Sequence, residues 1–285
     1  MLISNSEVNS YNTCQRKHFY SFRERLAPKF GYSVAITRGV VGHDALAEYY
    51  TRKAAGDGKE ICLVSALSVV DSHFDSYPDM WTEFNQLKRV ITRYVEYYAD
   101  ESWIPVEIER QHEVFLDNRI DLSYGMRLDL LADAKGSLVL VDHKFVYNFF
   151  TDKELAMASQ LQKYLYTLNK NGIPVKTVVV NQIRYRELKN PDPSMLFKRI
   201  YVHSTEYERE RVMDEHKKTA REIFEIKSRP VDEHFYATRM SLDKYTCGTC
   251  TFQPLCKDYL QGNSTDKTKE NLFKTNDYLY DKEVV

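Results

Sequence analysis

Four aliphatic residues in a row, Leu138-Val139-Leu140-Val141, run directly into Asp142-His143-Lys144. The run is short and bounded by charge, so it reads as an apolar strand ending at the edge of a sheet. Side chains alternate along a strand, which points Asp142 and Lys144 to the same face. Upstream, Met126, Leu128 and Leu130 alternate, and Asp133-Ala134-Lys135-Gly136 has turn composition. The two stretches form a hairpin signal, with Asp129 on the preceding strand and able to converge on Asp142.

The rest of the chain falls into blocks around this hairpin. Ser6 to about Arg25 has a three-to-four spacing of Val8, Tyr11, Cys14, His18 and Phe22 and is expected to be one helix. Arg38-Gly39-Val40-Val41-Gly42-His43 reads as a glycine turn leading into a helix through Ala45, Leu46, Tyr49 and Tyr50. Ile61–Phe74 and Glu83–Tyr98 read as helices separated by Pro78. From Trp103 the texture becomes strand-like. Thr151-Asp152-Lys153-Glu154 matches a capping box, opening a helix expected to run to about Asn171. Lys176–Tyr185 and Lys198–His203 read as strands, and Glu206–Lys227 as a charged helix. Helices, strands, helix, strands and helix in that order give an α/β or α+β core with a mixed sheet. The stretch after Gln261 is polar and is expected to be a weakly packed tail, 263–285.

Two carboxylates brought together at the end of an apolar strand repel one another and resist burial. A hard divalent cation, Mg²⁺ or Mn²⁺, offsets that cost. With Lys144 beside it, such a centre suits phosphodiester hydrolysis: the metal activates water and neutralises charge, and the lysine orients the nucleophile. The plain alternative is a solvent-facing strand end, with Lys144 as a salt-bridge partner of the aspartates; an Asp-x-Lys tripeptide alone does not separate the two.

Further residues in fixed order do separate them. Gly39-Val40-Val41-Gly42-His43, Gly125-Met126-Arg127-Leu128-Asp129, Val141-Asp142-His143-Lys144 and Gln160-Leu161-Gln162-Lys163-Tyr164 together resemble the motifs of the PD-(D/E)xK nuclease superfamily, and most closely its RecB-like branch. The resemblance covers most of Met1–Gly262. It implies an α/β, restriction-endonuclease-like core with a central mixed β-sheet flanked by helices. It makes 1–262 one nuclease domain, with a helical part at 1–102, the core at 103–204 and a helical, cluster-binding part at 205–262. His43, Asp129 and Asp142 would be metal ligands, with the His143 backbone carbonyl as a fourth, and Lys144 the catalytic lysine. Gln160 and Tyr164, one helical turn apart, would face the site and hold Lys144 or a DNA phosphate. The His143 side chain should face away. Glu109, on the strand before, would be an extra acid.

Cys247, Cys250 and Cys256 have C-x₂-C-x₅-C spacing, and Cys14 is the best candidate for a fourth ligand. Cys62 lies within an apolar helical face and reads as a buried thiol. Spacing alone allows Zn²⁺ or a 4Fe–4S cluster. One cysteine near the start and three near the end, with Pro254 between the last two, resemble the iron–sulfur staple of AddB-type and CRISPR-associated RecB-like nucleases. That resemblance favours 4Fe–4S, joining the N- and C-terminal helical segments.

The expected activity is that of a metal-dependent DNA nuclease, by resemblance an exonuclease preferring single-stranded ends. The alternative is a catalytically silent nuclease-like subunit that binds DNA or a partner and is stabilised by its Cys₄ site. The formal net charge of −1 does not advertise a DNA binder, although acidic metal ligands would mask a basic groove in that total. Arg16-Lys17 and Arg23–Arg25, near Phe19, Tyr20 and Phe22, could line a DNA path or form an ordinary amphipathic helix; Lys217, Lys218 and Arg221 carry the same ambiguity. There is no Walker A pattern, no signal-peptide pattern at the start and no membrane-length apolar run. The expected location is the cytoplasm, or the host's if the chain is phage-encoded, with a recombination, repair or CRISPR-adaptation protein as the kind of partner such nucleases serve.

Overall fold

The computed structural model describes residues 1–31, 33–186, 188–189 and 191–275. The chain divides into two compact units with interleaved segments: Met1–Tyr32, Glu113–Met126 and Arg211–Val285 make one, and Ser33–His112 with Arg127–Glu210 make the other. The parts expected from the sequence are contiguous; these units are not.

The second unit holds a five-stranded mixed sheet in the order Ile104–Ile108, Leu130–Asp133, Leu138–Val146, Thr177–Arg184, Phe197–His203. Leu138–Val146 is central and pairs antiparallel with Leu130–Asp133 and parallel with Thr177–Arg184. A parallel pair requires a crossover, and helix Ser159–Lys170 lies within it. Helices Val34–Ala54, Lys59–Ser72 and Trp81–Tyr97 contribute to the core: Leu46, Ala66, Leu87 and Ile91 are packed in one cluster with Leu130, Val141 and Val179 of the sheet. The hairpin turn forms as its composition requires. Lys135 and Gly136 both take positive φ (59° and 85°), and the Gly136 N–H donates to Asp133 Oδ1 at 2.5 Å.

A polar network is sealed beneath the sheet's central strands. Asn181 donates to Tyr94 Oη (2.9 Å), and its amide lies 2.8 Å from His143 Nδ1. Arg199 donates to Asn181 Oδ1 (3.2 Å), to Tyr94 Oη (3.1 Å) and to Glu101, with its guanidinium 3.5 Å from the Tyr98 ring centroid. These bonds offset much of the cost of burying the polar groups; the His143 Nε2 on the far side of the ring is buried without a hydrogen-bond partner.

The first unit carries a three-stranded sheet of Leu2–Ser4, Leu122–Arg127 and Gln111–Asp117, whose last two strands begin or end in the other unit by a residue or two. It also has a two-stranded ribbon, Phe273–Thr275 with Leu26–Pro28, and several helices. Phe19, Tyr20, Phe252, Leu255 and Phe273 form its aromatic core.

Several local expectations change. Residues 38–43 are not a turn; they lie inside helix Val34–Ala54. The first helix is broken at Cys14, which is extended (φ −163°, ψ 112°), and resumes as Gln15–His18 and a π-helical Phe19–Arg23. The alternation Met126–Leu130 spans two strands in different sheets, with Asp129 in the bend between them. The capping box at Thr151 is present, but its helix stops at Ala156, and a second begins at Ser159. The tail is not loose as far as 275: Phe273 is buried and paired in the ribbon, because an apolar residue within a polar stretch still has area to bury. The remaining tail, 276–285, lies outside the described residues. Arg16, Phe19 and Tyr20 are buried, so they form no DNA path; Arg16 lies 3.7 Å from the Phe235 ring centroid, and Arg221 is paired with Asp117. A short run of basic and aromatic residues fits a core as well as a groove, and burial is a tertiary property.

Candidate active site

The site grows from the end of the hairpin. The register Leu130↔Val141 carries on to put Asp129 beside Asp142. Asp129 Oδ2 accepts the His143 N–H at 2.7 Å, which fixes the bend against the central strand. As alternation predicts, Lys144 and Asp142 share a face: Lys144 Nζ donates to Asp142 Oδ1 at 2.9 Å. The other oxygen, Asp142 Oδ2, is buried and has no hydrogen-bond partner.

His43 arrives from helix Val34–Ala54, with Nδ1 3.3 Å from Asp129 Oδ1. The sequence permits this approach through Gly42. A Cβ at that position would lie 2.5 Å from the Phe145 ring, so only glycine lets the helix run this close to the central strand. Gly39 has open space around it and is not needed for the contact.

Glu109 is more central than its sequence context suggests. It follows strand Ile104–Ile108 in a left-handed conformation (φ 48°), a cost of about 1–2 kcal/mol for a residue with a Cβ. Its N–H donates to the Asp129 carbonyl at 3.1 Å, and its carboxylate pairs with Arg127 Nε at 3.0 Å. His43, Glu109 and Asp129 each offer a ligand atom, all within 4.8 Å of one another. The one sequence signal for Glu109 is an acid closing an alternating strand, which is common.

Electrostatics follow from burial and crowding. Burial raises the Glu109 carboxyl to about 7, reinforced by Asp129. Burial also raises Asp142, with Lys144 opposing and Asp129 adding. For Asp129 burial acts upward, but His43 outweighs it and holds the acid below the ordinary carboxylate range. His43 is raised in turn, Asp129 outweighing burial. Lys144 stays charged: burial pulls it down and Asp142 more than restores it. Gln160 Nε2 donates to Tyr164 Oη at 2.8 Å, and burial, then Asp142 and Asp129, raise the Tyr164 phenol. The His143 ring turns the other way, stacked on Tyr50 (5.7 Å, 14°), and burial lowers it to about 3.

The four cysteines come together in the other unit. Cys14, Cys247, Cys250 and Cys256 line one cavity of about 30 Å³, along with Lys17 and Phe252. Cys62 is apart from them and buried.

Comparison with known proteins bears on this geometry. The model of the PD-(D/E)XK nuclease superfamily matches residues 2–257. The chain belongs to that superfamily. This PD-(D/E)XK chain is similar in structure to the protein named "Putative exonuclease" from Eubacterium rectale, at 11% identity and a TM-score of 0.51 over 87% of this chain and 88% of that one, a likeness of fold alone. A further solved structure, SSO0001, aligns at 14% identity over 66% of this chain and 79% of that one, with a TM-score of 0.34. No curated protein sequence matches. No helix among the described residues is long and apolar enough to cross a membrane.

Proposed function

We propose that this nuclease-superfamily chain is a divalent-metal-dependent deoxyribonuclease of the RecB-like branch, an exonuclease acting on single-stranded DNA ends. The observation that carries the proposal is Asp142 Oδ2, a buried carboxylate oxygen without a partner beside a second aspartate. A buried acid in that position needs a cation, and Lys144 is already committed to Oδ1. His43, Asp129 and Asp142 would hold the ion, with the His143 carbonyl as a fourth ligand and Glu109 within reach. One imidazole nitrogen among hard oxygens suits Mn²⁺ and admits Mg²⁺.

When bound, the ion supplies charge neutralisation at the scissile phosphate and a lower pKa for the attacking water. The chain's own residues do the rest. Lys144 brings a positive charge to the place where phosphate oxygens gather negative charge. Glu109, raised to about 7 in the metal-free site, would give up its proton as the ion binds beside it. Gln160 and Tyr164 offer an amide and a hydroxyl for fixing Lys144 or a phosphate oxygen.

For the cysteines the proposal is a 4Fe–4S cluster closing one unit of the fold. What supports a shared four-thiolate centre is that Cys14, Cys247, Cys250 and Cys256 line one cavity; the choice of iron–sulfur over zinc rests on the resemblance of their spacing.

The test is digestion of end-labelled single- and double-stranded DNA with titrated Mg²⁺ or Mn²⁺. Asp142→Ala and Lys144→Ala should each abolish cleavage with the fold retained. Full activity in both would end the assignment, and a wild-type chain that binds DNA without cutting it would favour the silent-subunit alternative.

A further inference from the structure

Past Lys144 the central strand ends at Val146 and the chain emerges at Tyr147. Its parallel neighbour ends at Arg184 and emerges at Tyr185, whose N–H donates to the Val146 carbonyl at 3.1 Å. The two tyrosine rings stand 6.0 Å apart at 60°. Each carries a guanidinium: Arg38 lies 4.1 Å from the Tyr185 ring centroid and Arg186 5.3 Å from that of Tyr147. Arg38 is buried, and its Nε has no hydrogen-bond partner. Tyr147 is 52% exposed. Tyr185 and Arg186 continue into a cavity of about 340 Å³ whose wall includes Arg89, Arg93 and Lys189, with no acidic side chain among its described lining residues. The described charged residues of that wall are all cationic, on a chain of net charge −1.

We propose that this aromatic and cationic surface is a separate binding site for a single DNA strand, whose bases stack on Tyr147 and whose phosphates lie along Arg93, Arg186 and Lys189. The inference rests on the nuclease reading above and extends it to the strand beyond the cleaved bond. Lys144 pairs in register with Gln182, and Tyr147 and Tyr185 lie three residues farther along their strands. At about 3.3 Å per residue that is roughly 10 Å, or about three base steps at about 3.4 Å each. A strand held at both places therefore needs only a few nucleotides. Cations attract the backbone of either form of DNA, but a ring can stack only on a base whose face is open. A duplex keeps those faces covered, so the exposed ring gives the surface a preference that charge alone cannot.

The experiment is fluorescence anisotropy in EDTA, with labelled oligo-dT and the same strand paired to oligo-dA, so that binding is read without cleavage. Tyr147→Ala should weaken oligo-dT binding by between about 5-fold and 100-fold and leave the duplex unchanged, and Tyr147→Trp should restore it. Combined Arg93→Gln, Arg186→Gln and Lys189→Gln should reduce the slope of log affinity against log salt by about 2, at about 0.7 per lost contact on a single strand. With metal added, both variants should raise KM and spare kcat. All four side chains are exposed, and circular dichroism checks that the variants fold. An unchanged salt slope, or equal losses on both DNA forms for Tyr147→Ala, would overturn the proposal. If Asp142→Ala abolishes cleavage while these variants bind as wild type, this inference alone fails. If the wild-type chain does not cut, the nuclease reading fails, and the anisotropy result stands by itself.

Discussion

Replacing Gly42 by alanine tests whether one close approach assembles the proposed metal site. In an exposed helix the change would stabilise by about 1 kcal/mol, because alanine is the better helix former. At Gly42 the new Cβ would sit 2.5 Å from Phe145 Cε2 and Cζ. Carbon atoms rest at about 3.5–4.0 Å, so helix and strand must part by about 1 Å or the ring must swing aside. Overpacking of this kind costs about 1–3 kcal/mol. Phe145 is half-buried and can yield in part, so the net loss should be about 1 kcal/mol, a fall of about 2–4 °C in Tm for a chain of this size. The functional loss should be larger than the stability loss. His43, a proposed ligand, is the next residue, and a displacement of about 1 Å at such a group costs on the order of 100-fold in rate. Thermal melts, Mn²⁺ titration and cleavage rates read these effects. Gly39→Ala in the same helix is the control and should be neutral or stabilising, since its Cβ meets nothing within 4 Å. Trimming the ring with Phe145→Ala should couple to Gly42→Ala by about 1 kcal/mol or more in a double-mutant cycle. A Gly42→Ala protein with full activity and wild-type or higher Tm would refute the reasoning.

Glu109→Gln should stabilise the metal-free protein above neutral pH. The folded carboxyl titrates near 7 against 4.5 unfolded, so the folded state binds the extra proton and loses stability as pH rises between those values, by at most about 3 kcal/mol; melts across that window check it. Metal affinity should rise as pH climbs through about 7, because Glu109 and the raised His43 must shed protons, and Glu109→Gln should flatten the rise in calorimetric titrations. His143 and His234 are buried, and burial holds them neutral, at about 3 and about 4. Their stabilising contribution is present above about 6.5 and is lost as pH falls toward those values, so acid melts should show stability dropping below pH ~6. If the four cysteines hold the proposed 4Fe–4S cluster, Cys250→Ala should release iron and lower Tm; an anaerobically purified chain that is colourless, zinc-loaded and fully active would rule iron out.

How much of the site was legible depends on the range of the rule that places each residue. Asp142 and Lys144 follow from strand alternation, a period of two that needs no knowledge of the rest of the chain. The turn at 133–136 and the cap at Thr151 are likewise local, and both form. Gln160 and Tyr164 sit one turn apart on a helix, as spacing alone requires, even though that helix begins at Ser159, seven residues later than the cap suggested. The apparent turn at Arg38–His43 misled because two glycines usually interrupt a helix. Here one of them is the condition for a helix to lie against a strand. Glu109 could not be ranked above other acids, because its importance comes from a left-handed backbone that is stable only when Asp129 and Arg127 are in place.

The sequence by itself determined the central strand, its charged end, most of the helices and the grouping of residues that places the chain among PD-(D/E)XK nucleases. Those are matters of periodicity, capping and motif order, and each is settled within a few residues. Tertiary structure decided which charges are buried, which oxygen lacks a partner, and which rings face outward. It turned Arg16 and Tyr20 into core and left Tyr147 exposed beside Arg186. It also gathered four cysteines, 242 residues apart at the extremes, around one cavity. Burial and convergence depend on contacts between segments distant in the chain, and the desolvation and Coulomb energies that set the chemistry exist only once those contacts form.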